Sequence, residues 1–266
     1  MNINKDGILI TCSGGTYLNL YEIKGKKYKN IQTIRPYTLL NDIIGIFDDS
    51  FSIQKFIELK NGDIAILVWG YAICFYQKKK NSKKYSYLNK YLEKTQNYTD
   101  LCELDNNQYC ISLKYSKKVQ FLDMNLKIII NEIQIGSYFS DSKNQLLLMN
   151  EKDLFVLGKE EIFIIDAQKE VMVKKIKIEA VGYISYIHRL SNNIILIGYW
   201  NNYIEQLEYD EIEKELKIIS CTEEKIHSDF ELYDVSSISI YNDLIVSPYD
   251  NVLEHSSLII YKLKKI

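Results

Sequence analysis

Hydrophobic residues in this chain fall into short runs divided by polar turns, and the runs have the composition of β-strands. Asp63–Trp69 (DIAILVW), Gln108–Leu113 (QYCISL), Val119–Leu122 (VQFL) and Asp153–Leu157 (DLFVL) are examples. Ile162–Ile165 (IFII), Ile194–Gly198 (IILIG), Leu244–Ser247 (LIVS) and Ser257–Tyr261 (SLIIY) continue the pattern. Each is short and rich in Ile, Val, Leu, Tyr or Phe, which favours strand over helix. Three-four periodicity is scarce; its best candidates are Ser86–Lys94 and Glu208–Glu215, and either could equally be a long hairpin loop. The expected class is all-β.

The runs repeat. One unit reads as an apolar strand, a polar turn, a second strand, a shorter turn, and a third strand ending in an apolar-polar pair. The third strands align as YLNLYE (Tyr17–Glu22), AICFYQ (Ala72–Gln77), KVQFLD (Lys118–Asp123), EIFIID (Glu161–Asp166), YIEQLE (Tyr203–Glu208) and SLIIYK (Ser257–Lys262). Their penultimate residues are Tyr21, Tyr76, Leu122, Ile165, Leu207 and Tyr261, spaced by 55, 46, 43, 42 and 54 residues. Extra length falls in Arg35–Ser50 and Asp210–Asp234. Six such units account for nearly the whole chain, which reads as one domain over 1–266.

This pattern resembles a diverged WD-repeat β-propeller, whose repeats run about 40–45 residues with four strands to a blade. The closing pair of each third strand sits where that family places Trp-Asp. Phe56–Gln77 and Tyr186–Glu208 resemble its strand and turn order most closely. No unit carries the family's Gly-His pair or a true Trp-Asp. Gly15, Gly70, Ser116, Lys159, Asn201 and His255 stand where the family's tight-turn Asp would be. Blades without that Asp must be held by apolar packing and ladder hydrogen bonds. Six blades are expected, with seven or an incomplete ring as alternatives. Met1–Asn4 is a candidate for a missing outer strand and Asn41–Phe47 for a further strand of the first blade. The resemblance implies a rigid platform for proteins or peptides, without activity of its own.

Composition narrows the setting. The chain has 266 residues, with 33 Lys and Arg against 35 Asp and Glu, a formal net charge of −2. That balance argues against a nucleic-acid protein working through a strongly basic surface. The five cysteines are odd in number and form no C-x-x-C pair, so they read as buried reduced thiols in strands. The N-terminus lacks a secretory pattern. Ile64–Gln77 and Leu190–Ile204, the longest uncharged stretches, bracket no span of the roughly 20 apolar residues a membrane helix needs. A cytoplasmic setting is expected, with the nucleus as an alternative. With 2 prolines and 11 glycines, turns must rely on Asn, Asp, Ser and Lys.

Candidate chemistry is sparse. His188, His227 and His255 lie in different repeats, without acidic, His or Cys neighbours at ligand spacing. His188 reads as a core or channel-lining residue. Acidic pairs such as Asp48-Asp49, Glu160-Glu161 and Glu223-Glu224 are adjacent, so in a strand they point to opposite faces and make no acid/base dyad. No nucleophile elbow, zinc helix or phosphate loop occurs. No enzyme activity, cofactor or metal is expected. Lys78–Lys84, the densest charge, reads as a solvated hairpin tip rather than a phosphate contact or nuclear signal.

Aromatic residues suggest a face. Tyr37, Tyr98, Tyr138, Tyr183 and Tyr233 each fall in a connection leading into a first strand. In a propeller those connections gather at one channel mouth, where tyrosine offers an apolar body with a polar tip. They are the candidate partner-binding face, for a protein or peptide segment; packing between blades is the competing use. Tyrosine is abundant here, with 22 in the chain. Trp69 and Trp200 close second strands at matching places and read as lids over inter-blade packing. Two other functional readings stay open: a fixed subunit of a larger assembly, and an enzyme with its site at the channel mouth.

Overall fold

The computed structural model describes residues 2–4, 6–13, 16–24, 27–36, 53–68, 72–92, 98–105, 108–113, 117–125, 127–136, 146–178, 183–199, 203–222, 239–241, 244–250 and 256–265. For 2–3, 13, 92, 185–186, 222 and all positions from 239 onward it describes backbone only. Five antiparallel sheets follow one another along the chain. The first holds β1 (Asn2–Ile3), β2 (Ile8–Ser13), β3 (Tyr17–Lys24) and β4 (Lys27–Ile34). The second holds β5 (Ile53–Glu58), β6 (Ile64–Val68), β7 (Ala72–Lys78) and β8 (Tyr85–Leu92). The third holds β9 (Tyr98–Glu103), β10 (Gln108–Leu113), β11 (Lys118–Asp123) and β12 (Ile128–Gln134). The fourth holds β13 (Leu146–Leu148), β14 (Asp153–Leu157), β15 (Glu161–Asp166) and β16 (Val171–Lys177). The fifth holds β17 (Ile184–Arg189), β18 (Ile194–Tyr199), β19 (Ile204–Asp210) and β20 (Glu215–Thr222).

Each sheet is a blade, and the first strands of neighbouring blades approach one another, β5 with β9, β9 with β13 and β13 with β17. These strands are therefore innermost. The expected four-stranded blades are present, but among the described residues there are five of them, not six. The remaining strands, β21 (Ser239–Tyr241), β22 (Leu244–Asp250) and β23 (Ser256–Lys265), form a three-stranded meander. Its last strand pairs with β20, so the fifth sheet continues to seven strands. The sixth unit of the sequence pattern thus makes a partial sheet instead of a separate four-stranded blade. Two further expectations are corrected. Asn2–Ile3 is the inner strand of the first blade, paired to β2, and not an outer strand. Of the two helical candidates, Ser86–Leu92 is strand, within β8, and Glu208–Glu215 takes the hairpin alternative, the end of β19 with the turn into β20. Asn41–Phe47 lies outside the described residues, as do Trp69 and Trp200.

Four buried clusters join the blades in chain order. Ile8, Ile10, Leu18 and Leu20 of the first meet Ile64, Ile66 and Cys74 of the second. Leu67 and Phe75 meet Leu101 and Ile111; Val119 and Phe121 meet Leu154 and Phe163; Phe155 and Ile164 meet Ile195 and Ile197. Second and third strands bury both faces, which is why β6 reads as an unbroken apolar run, and β14 does so after Asp153. Outer strands alternate, as in β12, because one face meets water. At roughly 1.5–3 kcal/mol for each fully buried aliphatic side chain, these clusters dominate the cohesion of the blades.

Polar groups repeat with the same discipline. The turn between first and second strands closes on an N–H to C=O bond four residues ahead in all five blades: Asn4 to Ile8, Leu59 to Asp63, Leu104 to Gln108, Met149 to Asp153 and Leu190 to Ile194, at 2.8–3.0 Å. Between third and fourth strands every blade carries a β-bulge. It falls immediately before Tyr21, Tyr76, Leu122, Ile165 and Leu207, the positions aligned from the repeat. An acid often caps the turn that follows. Asp123 accepts the Asn125 N–H, Asp166 those of Gln168 and Lys169, and Asp210 those of Ile212 and Glu213. Four residues after each Asp, Lys127, Glu170 and Lys214 hold positive φ of 55°, 54° and 54°.

Candidate functional site

An antiparallel four-strand meander puts its second turn and its outgoing connection at the same end. Backbone bonds tie the two together here. Ile135 N–H donates to the Lys117 carbonyl (2.8 Å), Ile178 to Glu160 (3.0 Å) and Ile184 to Lys159 (2.8 Å). This end is where the sequence places the candidate tyrosines. Tyr37, Tyr138 and Tyr233 lie outside the described residues. The other two differ sharply in environment.

Tyr98 opens β9 with 0% exposure, sealed among Leu59, Leu67, Tyr91 and Leu101 between the second and third blades. Its body is core, so it serves blade packing and offers no surface to a partner. Tyr183 stands 47% exposed just before β17. The ammonium of Lys159, from the turn between β14 and β15, sits 5.3 Å from its ring centroid. A cation over a ring face fixes the ring without covering its edge. Lys159 was visible in the sequence only as the residue standing at the family's tight-turn Asp.

Tyr199 and Tyr203 flank the equivalent turn of the fifth blade, with centroids 5.9 Å apart. Tyr199 is buried and donates its phenol proton to Glu205. Burial pushes the Glu205 carboxyl above the ordinary carboxylate range, and the Tyr199 bond offsets only part of that rise. Burial also raises Tyr203, assisted by a bond to Cys221. Tyr199 pairs across the strands with Ile184, the residue after Tyr183. The aromatic turn YWNNY (199–203) could have been flagged from its composition; the buried carboxylate beside it had no sequence signal.

Other acids are structural. Asp100 is buried and accepts the backbone N–H groups of Leu101 (2.7 Å) and Leu146 (2.7 Å), and it pairs with Lys55. Three blades meet on that carboxylate. Asp153 is likewise buried and bound by Lys214 (2.6 Å) of the fifth blade. Lys78 and Lys83, from the basic hairpin, pair with Asp6 and Glu22 of the first blade, so the densest lysine run latches two blades. His188 lies on the innermost strand β17, and desolvation lowers its pKa from the ordinary imidazole value. His227 and His255 lie outside the described residues. Among the described residues, no three His, Cys, Asp or Glu side chains converge as metal ligands. The cysteines all sit in strands as expected, but only Cys74 and Cys110 are buried; Cys12 is exposed.

Neither a protein-family model nor a curated protein matches the sequence. Solved structures do match the backbone. The C-terminal WD40 domain of Sif2 is similar with a TM-score of 0.60 and 13% identity, over 93% of this chain and 64% of that one. This chain thus spans less than two thirds of that domain. A chain of the mitotic checkpoint complex is similar with a TM-score of 0.67 and 10% identity, over 100% of this chain and 73% of that one. At such identities the likeness concerns backbone architecture. Taken with the five blades among the described residues, it gives the chain a β-propeller fold like that of the matched structures.

Proposed function

We propose that the chain is a non-catalytic platform that binds a protein or peptide segment at the end carrying Tyr183. The observation behind this reading is the exposed Tyr183 ring, braced by Lys159 from the neighbouring turn and anchored by the Ile184–Lys159 backbone bond. A rigid aromatic next to a cation is an inexpensive anchor, since little side-chain entropy remains to be lost on binding. Tyr37, Tyr138 and Tyr233 belong to the same proposed face, whereas Tyr98 leaves it for the core. That both matched structures are of interaction-type assemblies or WD40 domains supports the class by analogy of fold alone. The proposed setting is the cytoplasm, where the five thiols would stay reduced.

The test compares capture from native lysate by the wild type, Tyr183→Ala and Lys159→Glu chains, with matched melting temperatures as the folding control. A small set of proteins lost from both variants is expected. Identical capture by all three would sink the proposed face.

One observation favours a second reading, a fixed subunit of a larger assembly. Ile128 and Ile130 on β12, with Val171, Met172 and Val173 on β16, are exposed on adjoining outer strands. Those blades are joined there by the Asn131 amide donating to the Glu170 carbonyl. Self-association or loss of solubility that is cured by Ile130→Lys/Met172→Lys would support that reading.

A further inference from the structure

Tyr28 and Tyr85 occupy the same place in successive blades. In each, the bulge precedes the penultimate residue of the third strand, and the tyrosine pairs with the residue two beyond it: Tyr28 with Ile23, Tyr85 with Lys78. Their environments are opposite. Tyr85 is 3% exposed and Tyr28 is 74% exposed, with Ile23 beside it at 44%. Tyr28 already has an edge-on ring partner in Tyr21, at 5.6 Å.

What covers Tyr85 is a strand. Gln32 of β4 donates its amide to the Tyr85 carbonyl and accepts the Tyr85 N–H, both at 2.7 Å. Ile31 and Ile34 of the same strand pack in the cluster that includes Tyr85, and Asn4 donates to its hydroxyl at 3.2 Å. In the fifth blade the matching residue, Leu216, packs against the cluster it shares with the fourth. In the second blade, then, the position lies under a neighbouring extended segment, whereas in the third blade the same place falls to the exposed turn residue Lys127.

Charge around Tyr28 tells which segment would fit. Lys27 and Lys29 flank it, both exposed. The acid of this corner, Glu22, is already shared by Lys24 (3.3 Å) and by Lys83 of the second blade (2.6 Å). Positive charge is in surplus, and the exposed surface between is apolar and aromatic. We infer that this edge of the first blade takes an extended segment of a partner protein, alternating apolar with acidic residues, laid over Ile23 and Tyr28 as β4 is laid over Tyr85. The surface is distinct from the Tyr183 end and stands or falls separately.

Fluorescence anisotropy of the full chain with a labelled decapeptide alternating valine and glutamate tests this. Saturable binding is expected, weakened about tenfold or more by Tyr28→Ala and by Lys27→Glu/Lys29→Glu. Tyr28→Phe and Tyr183→Ala should bind as the wild type does. Because Tyr28 is mostly exposed, its variants should melt with the wild type. No binding, equal binding by Tyr28→Ala, or equal binding of an all-glutamate peptide would each overturn the inference. So would a wild-type dimer in sedimentation that Tyr28→Ala dissolves, since the occupant would then be a second copy.

Discussion

Tyr209 in the fifth blade donates its phenol proton to the buried carboxylate of Asp153 in the fourth, across 2.9 Å. The Tyr209 ring meets Phe155 edge-on at 4.8 Å, so one residue supplies both an apolar and a polar contact across the blade boundary. Burial by itself raises the pKa of Asp153. Bonds from Lys214, Asn150 and Tyr209 together outweigh it and hold the carboxyl below its ordinary value. A folded pKa below the unfolded one stabilises at neutral pH, and that contribution fades as pH falls below about 3.9. Asp153→Asn should cost about 3 kcal/mol at pH 7, the low end for a broken buried pair because Lys214 keeps some water. Guanidinium midpoints from pH 7 to pH 3 should show the wild type's advantage shrinking. A constant gap across that range would remove Asp153 from the acid response.

The two described candidate tyrosines should separate under mutation. Tyr98→Ala leaves a cavity between the second and third blades and should cost about 3–5 kcal/mol. Tyr183→Ala touches a half-exposed ring and should stay within about 0.5 kcal/mol. Urea titration of both variants distinguishes packing from surface duty, and similar losses would contradict the burial difference.

Glu170 holds a left-handed backbone at φ 54°, a conformation that costs a side-chain-bearing residue of order 1 kcal/mol. Glu170→Gly should therefore raise stability by up to about 1 kcal/mol, and Glu170→Val should lower it. Its carbonyl still receives the Asn131 amide in either variant. Thermal melts suffice as the readout; a glycine variant that melts lower would show the turn is held by the Glu side chain instead.

Thiol chemistry should be uneven. Burial pushes the Cys74 thiol up to about 12 and Cys102 to about 11, and it lifts Cys110 well above the usual range. At a fixed pH near 8, three units of pKa mean a roughly thousandfold smaller thiolate fraction. Pulsed iodoacetamide labelling read by mass spectrometry should modify exposed Cys12 first and leave Cys74 and Cys110 untouched until the chain unfolds. Early labelling of Cys110 would mean that the third blade opens locally.

Strand positions were legible in the sequence because buried second and third strands are largely apolar on both faces, as β6 is throughout and β14 is after Asp153. The repeat was legible because one backbone event, the bulge before Tyr21, Tyr76, Leu122, Ile165 and Leu207, recurs in each blade. Inner strands were harder. β1 and β13 are 2 and 3 residues long, too short for alternation to register, so Met1–Asn4 was expected as a missing outer strand whereas Asn2–Ile3 is the inner strand of the first blade. Blade number was misjudged because Ser257–Lys262 carries the third-strand pattern, although among the described residues it belongs to a three-stranded meander that extends the fifth sheet through β20. The tyrosine face was only partly readable. Tyr98 and Tyr183 occupy equivalent connections, and what decides between core and surface is the neighbour: Leu67 and Leu101 close over one, while Lys159 stands over the other. No local pattern encodes that choice.

The recurring bulge also bears on how far the repeats can diverge in sequence. A bulge is a backbone device, tolerant of many side chains, and here Tyr, Leu and Ile all follow it. Once the corner is kept by main-chain geometry, the signature residues that mark a repeat are released from duty and can drift. Side-chain patterns then find little to match, whereas the backbones still superpose, over 93% and 100% of the chain in the two matched structures. In this propeller the repeated unit is a shape.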